Sequence, residues 1–186
     1  MLRRPFIAAT LALPLALHAD DSALTLLREG GLVVAFRHAL APGTFDPPQF
    51  ALGDCSTQRN LNDEGRVQAR RIGQWFSSRG LKPATVRSSP WCRCLETATL
   101  AFGRAERWAA LGSPRGNAEG TNAESVRELA AAVVMATQQR GRFEAWVTHQ
   151  FVLNDVVGVA TASGEGLLLR AAADGKPQVV ARLPAA

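Results

Sequence analysis

The chain alternates short apolar runs with longer stretches in which apolar residues recur at helical spacing. The apolar runs predict strands, and the helical stretches predict helices between them. The predicted strands cover residues 31–36, 85–88, 106–111 and 143–148, and the predicted helices cover residues 62–79, 89–102, 124–140 and 150–157. Apolar runs at residues 167–169 and 179–181 predict a terminal hairpin that turns at Asp174-Gly175. This alternation predicts an α/β fold, a three-layer α/β/α sandwich with a mostly parallel central sheet.

Polar residues mark where two of the predicted helices begin. Asn62 or Asp63 is expected to cap the first helix. Ser89 followed by Pro90 has the order of an N-cap and a first helical position. A second helix is therefore expected to begin there, with Arg93 in its first turn.

The N-terminus has the pattern of a secretory signal peptide. Arg3-Arg4 precede an apolar stretch over residues 6–17, and Ala19 offers a small residue for cleavage. The sequence therefore predicts a signal peptide at residues 1–19 and a single domain at residues 20–186, in a secreted or bacterial periplasmic protein. The apolar stretch is too short for a stable membrane span, and a retained interfacial anchor stays open as the alternative.

Charge and composition narrow the classes of partner. The full chain carries 21 basic and 16 acidic residues, a formal charge of +5. The basic residues are scattered, with no basic stripe interleaved with aromatic residues, so nucleic acid is not an expected partner. A mild positive balance favours anionic substrates.

The sequence after the predicted signal peptide contains three cysteines, Cys55, Cys92 and Cys94, which could form a disulfide. In an oxidising compartment the simplest arrangement is one disulfide and one free thiol. Cys92 and Cys94 are too close in sequence to pair comfortably on a helix, which predicts a disulfide from Cys55 to one of them. The Cys-x-Cys spacing lacks the second ligand pair of a zinc site, so no metal is expected there. Three buried thiols remain the alternative.

The residues with the most evident chemistry follow predicted strands. Arg37 and His38 end the first strand, and His149 follows the strand at residues 143–148. Ligands of α/β proteins bind at the carboxyl ends of parallel strands, so the two histidines are expected to face one another across a pocket. Arg93 lies in the first turn of a helix, where free N–H groups and the helix dipole favour anions. Two arginines and two histidines at this edge predict a site for a phosphoryl group.

A neutral histidine at such a site is a nucleophile for phosphorus. Its attack gives a phosphohistidine that water hydrolyses, and phosphoryl transfer needs mainly in-line positioning and charge neutralisation. Arginine and histidine side chains supply that charge without a metal ion. The sequence has no Mg²⁺ carboxylate cluster, Walker loop or cysteine-phosphatase loop. These residues therefore predict a metal-independent phosphatase without a cofactor.

Four segments, in order along the chain, resemble the histidine phosphatase superfamily, whose members have the phosphoglycerate mutase-like fold. They are similar to the family's Arg-His-Gly signature, its Leu-Thr-x-x-Gly-x-x-Gln-Ala stretch, its Ser-Ser-Pro-x-x-Arg-x-x-x-Thr-Ala segment and its second histidine. The segments here are Arg37-His38-Ala39, Arg59-Asn60-Leu61-Asn62 with Gly65, Gln68 and Ala69, Ser88-Ser89-Pro90 with Arg93, Thr97 and Ala98, and Thr148-His149. The resemblance covers nearly the whole chain after the predicted signal peptide.

The resemblance implies a role for each basic residue of these segments. His38 is implied to be the phosphorylated nucleophile, and Arg37, Arg93 and His149 are implied to form the phosphate pocket. Arg59 resembles a further arginine that contacts substrate, with a solvated charge before a helix cap as its alternative. A small phosphorylated molecule is the implied substrate.

The chain departs from the family pattern at Ala39, which replaces a glycine, and at the group that protonates the leaving group. Gln150 stands where the acid phosphatase branch has an aspartate. In the mutase-like branch the donor is a glutamate between the second arginine and the second histidine, and Glu124 is the best match. Its alternative role is a capping box with Thr121 at the start of a helix. The further candidates for the proton donor are Asp46, Asp54 and Glu119.

Other functions remain open beside a periplasmic phosphatase. The principal alternative is a protein of the same fold that binds phosphate or a phosphorylated ligand with little or no turnover. A mutase would need a cytoplasmic pool of phosphorylated cofactor, which the signal peptide disfavours. The segments at residues 41–57 and 112–122 are expected to line the mouth of the site, and neither carries a pattern that identifies a substrate.

Overall fold

A six-stranded sheet with helices on both faces forms the part of the chain that the computed structural model describes, residues 16–112 and 122–185. The helices are α1 (Ala16–Glu29), α2 (Asp63–Ser77), α3 (Cys92–Phe102), α4 (Ala123–Thr137) and α5 (Gln150–Val157). The strands are β1 (Leu32–Arg37), β2 (Thr85–Ser88), β3 (Glu106–Arg107), β4 (Phe143–Thr148), β5 (Gly166–Ala171) and β6 (Pro177–Leu183). Within these ranges no helix is long and apolar enough to cross a membrane.

The strand order of the sheet is β3-β2-β4-β1-β5-β6. Strands β1 to β4 pair in parallel, whereas β5 pairs antiparallel with β1, and β6 antiparallel with β5. Parallel neighbours need long crossovers, which the helices provide, while β5 and β6 form a hairpin whose turn contains Gly175 at a φ of 80°. The predicted three-layer sandwich, its mostly parallel sheet and its terminal hairpin are therefore confirmed.

Two apolar cores lie on opposite faces of the sheet. Alternate residues of β1 show the division, because Val34 and Phe36 belong to one core whereas Val33 and Ala35 belong to the other. Helices α1, α2 and α3 pack on the first face, and α4 and α5 on the second. Since β1 is buried on both faces, its sequence is a continuous apolar run rather than an alternation.

Helix α1 is an element that the sequence pattern did not predict. Ala23 and Leu27, one helical turn apart, are buried in the first core. The predicted cleavage point after Ala19 falls within this helix, and the charged and apolar stretch before it lies outside the described residues. The signal peptide therefore stays a prediction.

Strand β3 is shorter than the sequence predicts. The expected strand at residues 106–111 keeps only Glu106–Arg107 as strand, and a 3₁₀ turn follows at Ala109–Leu111. The turn buries Ala110 and Leu111 in the second core, and Leu111 accepts a hydrogen bond of 2.6 Å from the Thr148 hydroxyl. Burial beneath α4 thus replaces further pairing at the edge of the sheet.

Helix α3 begins two residues later than predicted. The N-cap is Trp91 rather than Ser89, and the first helical residue is Cys92. The Cys92 N–H donates to the Gln58 side chain over 2.9 Å, so an amide from the preceding loop satisfies the helix end. The prediction that Ser89 caps this helix is wrong, because the helix begins only after Trp91. The Ser89 hydroxyl lies 2.8 Å from Nε2 of His149 and accepts a hydrogen bond from the Trp91 N–H at 3.3 Å.

A disulfide joins Cys55 to Cys92, with a Cα–Cα distance of 5.7 Å, while Cys94 is a buried free thiol. The predicted disulfide is confirmed, and Cys92 is the partner. It fastens the long loop at residues 41–57 to the start of α3. Phe50 in the same loop stacks on Trp91 with ring centroids 5.4 Å apart, so the loop is packed against the helix.

Candidate active site

Three parallel strands, β1, β4 and β2, end side by side and stay paired for one residue beyond their ends. The His38 N–H donates to the Thr148 carbonyl, and the Ser89 N–H donates to the Val147 carbonyl, each over 2.9 Å. This pairing brings His38 to His149, whose ring centroids lie 5.6 Å apart with planes inclined at 69°. Both side chains are buried. The two histidines thus face one another, as expected from their strand ends.

The imidazole of His38 has a defined tautomer. Its Nδ1 lies 2.8 Å from the carbonyl oxygen of Ala39, which can only accept a hydrogen bond. The proton therefore resides on Nδ1, and Nε2 keeps its lone pair. Burial, and next the positive charge of Arg93, hold the pKa of His38 well below its ordinary value. The ring is neutral at pH 7, which is the nucleophilic form.

His149 is held by hydrogen bonds on both ring nitrogens. Its Nδ1 lies 3.4 Å from Nη2 of Arg93, which can only donate, so Nδ1 accepts and Nε2 carries the proton. Nε2 lies 2.8 Å from the Ser89 hydroxyl and 3.6 Å from Sγ of Cys94. Burial and Arg93 hold the pKa of His149 well below its ordinary value, and burial raises that of Cys94 to about 12. The Cys94 thiol is therefore protonated and uncharged, and it lies beside His149 in the site.

Arg93 is buried and forms a two-pronged ion pair with Asp46. Nη1 donates to Oδ1 over 2.7 Å and Nη2 to Oδ2 over 3.2 Å. The carboxylate also accepts from the Trp91 indole N–H, at 3.1 Å, and from the Arg59 backbone N–H, at 3.0 Å. Burial acts to raise the pKa of Asp46, but these hydrogen bonds, foremost that from Arg93, outweigh it and leave the pKa below its ordinary value. Asp46 is therefore ionised at neutral pH.

Arg37 and Arg59 lie beside this ion pair. Arg37 donates from Nη1 to the Gln150 side chain, over 2.9 Å, and to the Thr161 carbonyl, over 2.8 Å. Arg59 donates to the Ala41 carbonyl. Burial, and next the charge of Arg93, lower the pKa of Arg59 to about 10. Arg59 is thus half-buried close to another cation rather than a solvated charge.

The three arginines retain unused donors. In the described ranges, the buried Nε atoms of Arg37, Arg59 and Arg93 have no hydrogen-bond partner. Three guanidinium groups and the single Asp46 carboxylate leave two positive charges uncompensated, because both histidines are neutral. Buried donors without acceptors and excess positive charge are the features of an anion site.

Gln68 and Gly65, two residues of the segments described above, position the chain after His38. The Gln68 side chain accepts from the Leu40 N–H over 3.0 Å and donates to the Ser163 carbonyl over 2.9 Å. At Gly65 a Cβ atom would lie 2.0 Å from the Leu40 carbonyl oxygen, so the start of α2 approaches this loop as closely as glycine allows. Of the two predicted caps, Asn62 is the one that caps α2, by accepting from the Gly65 N–H at 2.8 Å.

The candidate proton donors occupy different places. Glu124 is exposed in the first turn of α4, where Asn122 is the N-cap and accepts from the Ser125 N–H. A capping box with Thr121 as the cap is therefore wrong. Within the described residues no hydrogen bond or ion pair joins Glu124 to the histidines or arginines of the site. Asp54 is exposed and caps a 3₁₀ turn, Gln150 binds Arg37, and Glu119 lies outside the described residues.

Potential metal ligands do not gather in this part of the chain. Across residues 16–112 and 122–185 no group of three or more His, Cys, Asp or Glu side chains is placed to hold a metal ion. The titratable groups of the site described above are three arginines, two neutral histidines, the Asp46 carboxylate and the neutral Cys94 thiol.

Part of the chain matches the sequence model of a known protein family. The model of the histidine phosphatase superfamily (branch 1) matches residues 52–112, which include Arg59, Ser89 and Arg93. No curated protein matches the chain at a significant level of sequence similarity.

Several solved structures have a similar fold. The protein histidine phosphatase SixA, solved with tungstate, is 17% identical with a TM-score of 0.54, over 82% of this chain and 96% of its own. The Rv3214 protein of Mycobacterium tuberculosis is 18% identical with a TM-score of 0.59, over 83% and 98%. The mycobacterial glucosyl-3-phosphoglycerate phosphatase, solved with VO₃, is 14% identical with a TM-score of 0.58, over 83% and 99%. The resemblance to the histidine phosphatase superfamily is therefore confirmed, by the family model over residues 52–112 and by the fold over most of the chain.

Proposed function

We propose that the protein is a phosphatase that hydrolyses phosphomonoesters through a phosphohistidine at His38. The observation that carries this proposal is the Nε2 atom of His38, a neutral ring nitrogen with a free lone pair. It is buried, and the charges of three arginines act on its ring. A nucleophile that faces excess positive charge is suited to attack a phosphoryl group.

The arginines supply the binding energy for the phosphoryl group. The unused Nε–H donors of Arg37, Arg59 and Arg93 offer charge-assisted hydrogen bonds to phosphoryl oxygens. The two uncompensated positive charges of the site equal the charge of a phosphomonoester dianion. Because the groups are already in place, they neutralise the charge of the transition state without reorganisation.

The chemistry takes two displacements at phosphorus. The lone pair of His38 Nε2 forms a bond to phosphorus as the bond to the leaving oxygen breaks. Water then attacks the phosphohistidine, and the electron pair of the P–N bond returns to Nε2. A bound dianion favours the protonated form of His149, so this second ring adds positive charge where the transition state needs it.

The cellular setting proposed from the sequence is the bacterial periplasm or exterior. It rests on a signal peptide at residues 1–19 before a single domain at residues 20–186. The disulfide between Cys55 and Cys92 agrees with an oxidising compartment. The substrate is a small phosphorylated molecule, and the arginines and histidines carry the reaction without a metal or cofactor.

The test compares the wild-type protein with His38→Asn, whose side-chain amide can still donate to the Ala39 carbonyl. With an aryl phosphate, the wild type should turn over and yield an acid-labile phosphohistidine on quenching. His38→Asn should lose both while it still binds tungstate, which reports an intact arginine cluster. Wild-type kcat in this variant would eliminate the mechanism.

Binding without turnover is the second candidate function. The observation that favours it is the occupation of Arg93 by Asp46. In addition, Glu124 is exposed and, within the described residues, makes no hydrogen bond or ion pair to the histidines or arginines of the site. A pure binding protein would take up tungstate with the same arginines, but it would form no phosphohistidine. The trapping experiment therefore separates the two candidates.

A further inference from the structure

Asp46 occupies the paired donors of Arg93, which are also suited to a phosphate group. Its two oxygens meet the two Nη atoms of Arg93 at 2.7 and 3.2 Å, the paired geometry that guanidinium groups also offer to phosphate. The same Nη2 atom lies 3.4 Å from Nδ1 of His149. The carboxylate is therefore bound to the arginine that directly contacts one of the facing histidines.

Asp46 does not depend on Arg93 alone. The Trp91 indole N–H and the Arg59 backbone N–H also donate to it, at 3.1 and 3.0 Å. The disulfide between Cys55 and Cys92 fastens the same loop to α3. A carboxylate with these supports can leave the Arg93 fork and remain beside the site.

We propose that Asp46 is the proton donor of the reaction: substrate phosphate takes its place on the Arg93 fork, and the released carboxyl protonates the leaving group. This inference rests on the proposed phosphatase function. It assigns the acid to the loop after β1, whereas the family pattern places the acid in the segment before β4 or directly after the second histidine.

Substrate binding itself prepares Asp46 for this role. In the free protein Arg93 stabilises the ionised carboxylate. Once phosphate holds the fork, Asp46 loses that partner and gains a dianion as neighbour, and both changes favour its protonated form. The other charged or titratable groups that bear on it are Arg59 and Cys94, with His38 and His149 behind Arg93.

The two steps balance with Asp46 as the only acid and base. In the first step the bond from His38 Nε2 to phosphorus forms, the P–O bond breaks, and the departing oxygen takes the proton of Asp46. In the second step the carboxylate takes a proton from the attacking water as the P–N bond breaks. Asp46 takes up its proton from solvent when substrate displaces it from Arg93, and it releases that proton to solvent when phosphate leaves and the ion pair re-forms. The products are an alcohol and inorganic phosphate, His38 is neutral again, and Asp46 is again the ionised partner of Arg93.

The experiment uses three matched carboxylate-to-amide variants. Asp46→Asn tests the proposal, Glu124→Gln tests the rival acid, and Asp54→Asn changes an exposed capping residue of the same loop as the control. Each is assayed with an alkyl phosphate and with p-nitrophenyl phosphate, whose acidic leaving group departs without a proton. Inorganic phosphate is titrated as a competitive inhibitor against all of them.

Asp46→Asn should show two opposite effects that misfolding does not produce. Its kcat for the alkyl phosphate should fall by about 10²-fold or more, and that for the aryl phosphate far less, because general acid catalysis is lost. Its inhibition constant for phosphate should improve by about tenfold or more, because a charge-assisted competitor leaves the fork. Asp54→Asn should match the wild type in both respects.

Other outcomes overturn the assignment. An unchanged ratio of alkyl to aryl turnover in Asp46→Asn, or phosphate inhibition no tighter than in the wild type, contradicts it. A selective loss of alkyl turnover in Glu124→Gln alone identifies Glu124 as the acid instead. If the proposed phosphatase function is wrong, the result is different: the wild type itself then traps no phosphohistidine from either substrate.

Discussion

Lowering the pH from 7 to 5 should remove a large part of the protein's stability, because the fold buries two histidines in their neutral form. In the unfolded chain each histidine takes up a proton with a pKa near 6.5. In the folded protein burial and Arg93 hold the pKa of both His38 and His149 well below that value. Between the folded and unfolded pKa values the unfolded state binds more protons, so stability falls as the pH falls.

The magnitude follows from the number of buried rings. Below pH 6.5, each histidine that stays neutral in the folded protein lowers the free energy of unfolding by up to about 1.4 kcal/mol for each unit by which the pH falls. His38 and His149 together give a slope of about 3 kcal/mol per unit, a large fraction of the 5–15 kcal/mol that typically holds a domain folded. Between pH 7 and 8 the contribution of the two histidines should fade, since neither state then carries the proton. The lowered pKa of Asp46 acts only near pH 4 and below, outside this window.

Urea unfolding at intervals of half a pH unit between 5 and 8 measures this slope. The single variants His38→Gln and His149→Gln each remove one titrating ring, so each should reduce the slope below pH 6.5 by about half. A stability that is level from pH 7 to 5 would refute the reasoning. The same slope in both variants as in the wild type would show that other groups take up the protons.

Three further predictions concern the loop, a glycine and metal ions. Replacing Cys55 and Cys92 together by serine should lower the free energy of unfolding in urea by about 4 kcal/mol, since the disulfide spans 37 residues; a loss below about 1 kcal/mol would contradict this. Gly65→Ala should cost about 1–3 kcal/mol by thermal unfolding, because its Cβ would meet the Leu40 carbonyl, whereas Gly53→Ala, with open space around it, should stay within about 0.5 kcal/mol. Phosphatase activity should survive EDTA; loss on chelation with rescue by Mg²⁺ or Zn²⁺ would show that the site requires a metal.

The sequence by itself determined most of the sheet. The predicted strands at residues 85–88 and 143–148 match β2 and β4 to the residue. Most residues of β1 and β4 are buried, which is why these two strands are rich in apolar residues. The positions of His38 and His149 follow directly, because a residue after a parallel strand must lie at the carboxyl edge of the sheet. Helices were harder to predict where the spacing of their apolar residues gives only a weak pattern. Helix α1 was not predicted; its first four residues lie within the predicted signal peptide, and its buried residues Ala23 and Leu27 follow it.

The contacts within the site were decided only by the tertiary structure. Ser89 and Pro90 have the local signal of a helix start, but the helix begins only after Trp91, and the Ser89 hydroxyl also contacts the buried His149. Asp46 and Arg93 lie 47 positions apart, and nothing in the local pattern of either residue indicates the other.

Whether Cys92 or Cys94 pairs with Cys55 was likewise decided by tertiary packing. Cys92 and Cys94 are two positions apart on one helix, so they point to different sides of it. Cys92 meets the loop and pairs with Cys55, whereas Cys94 is turned into the interior beside His149. The sequence determines which side chains are available at each turn of α3. Only the packing of the loop and the sheet around that helix decides which side chain meets which partner.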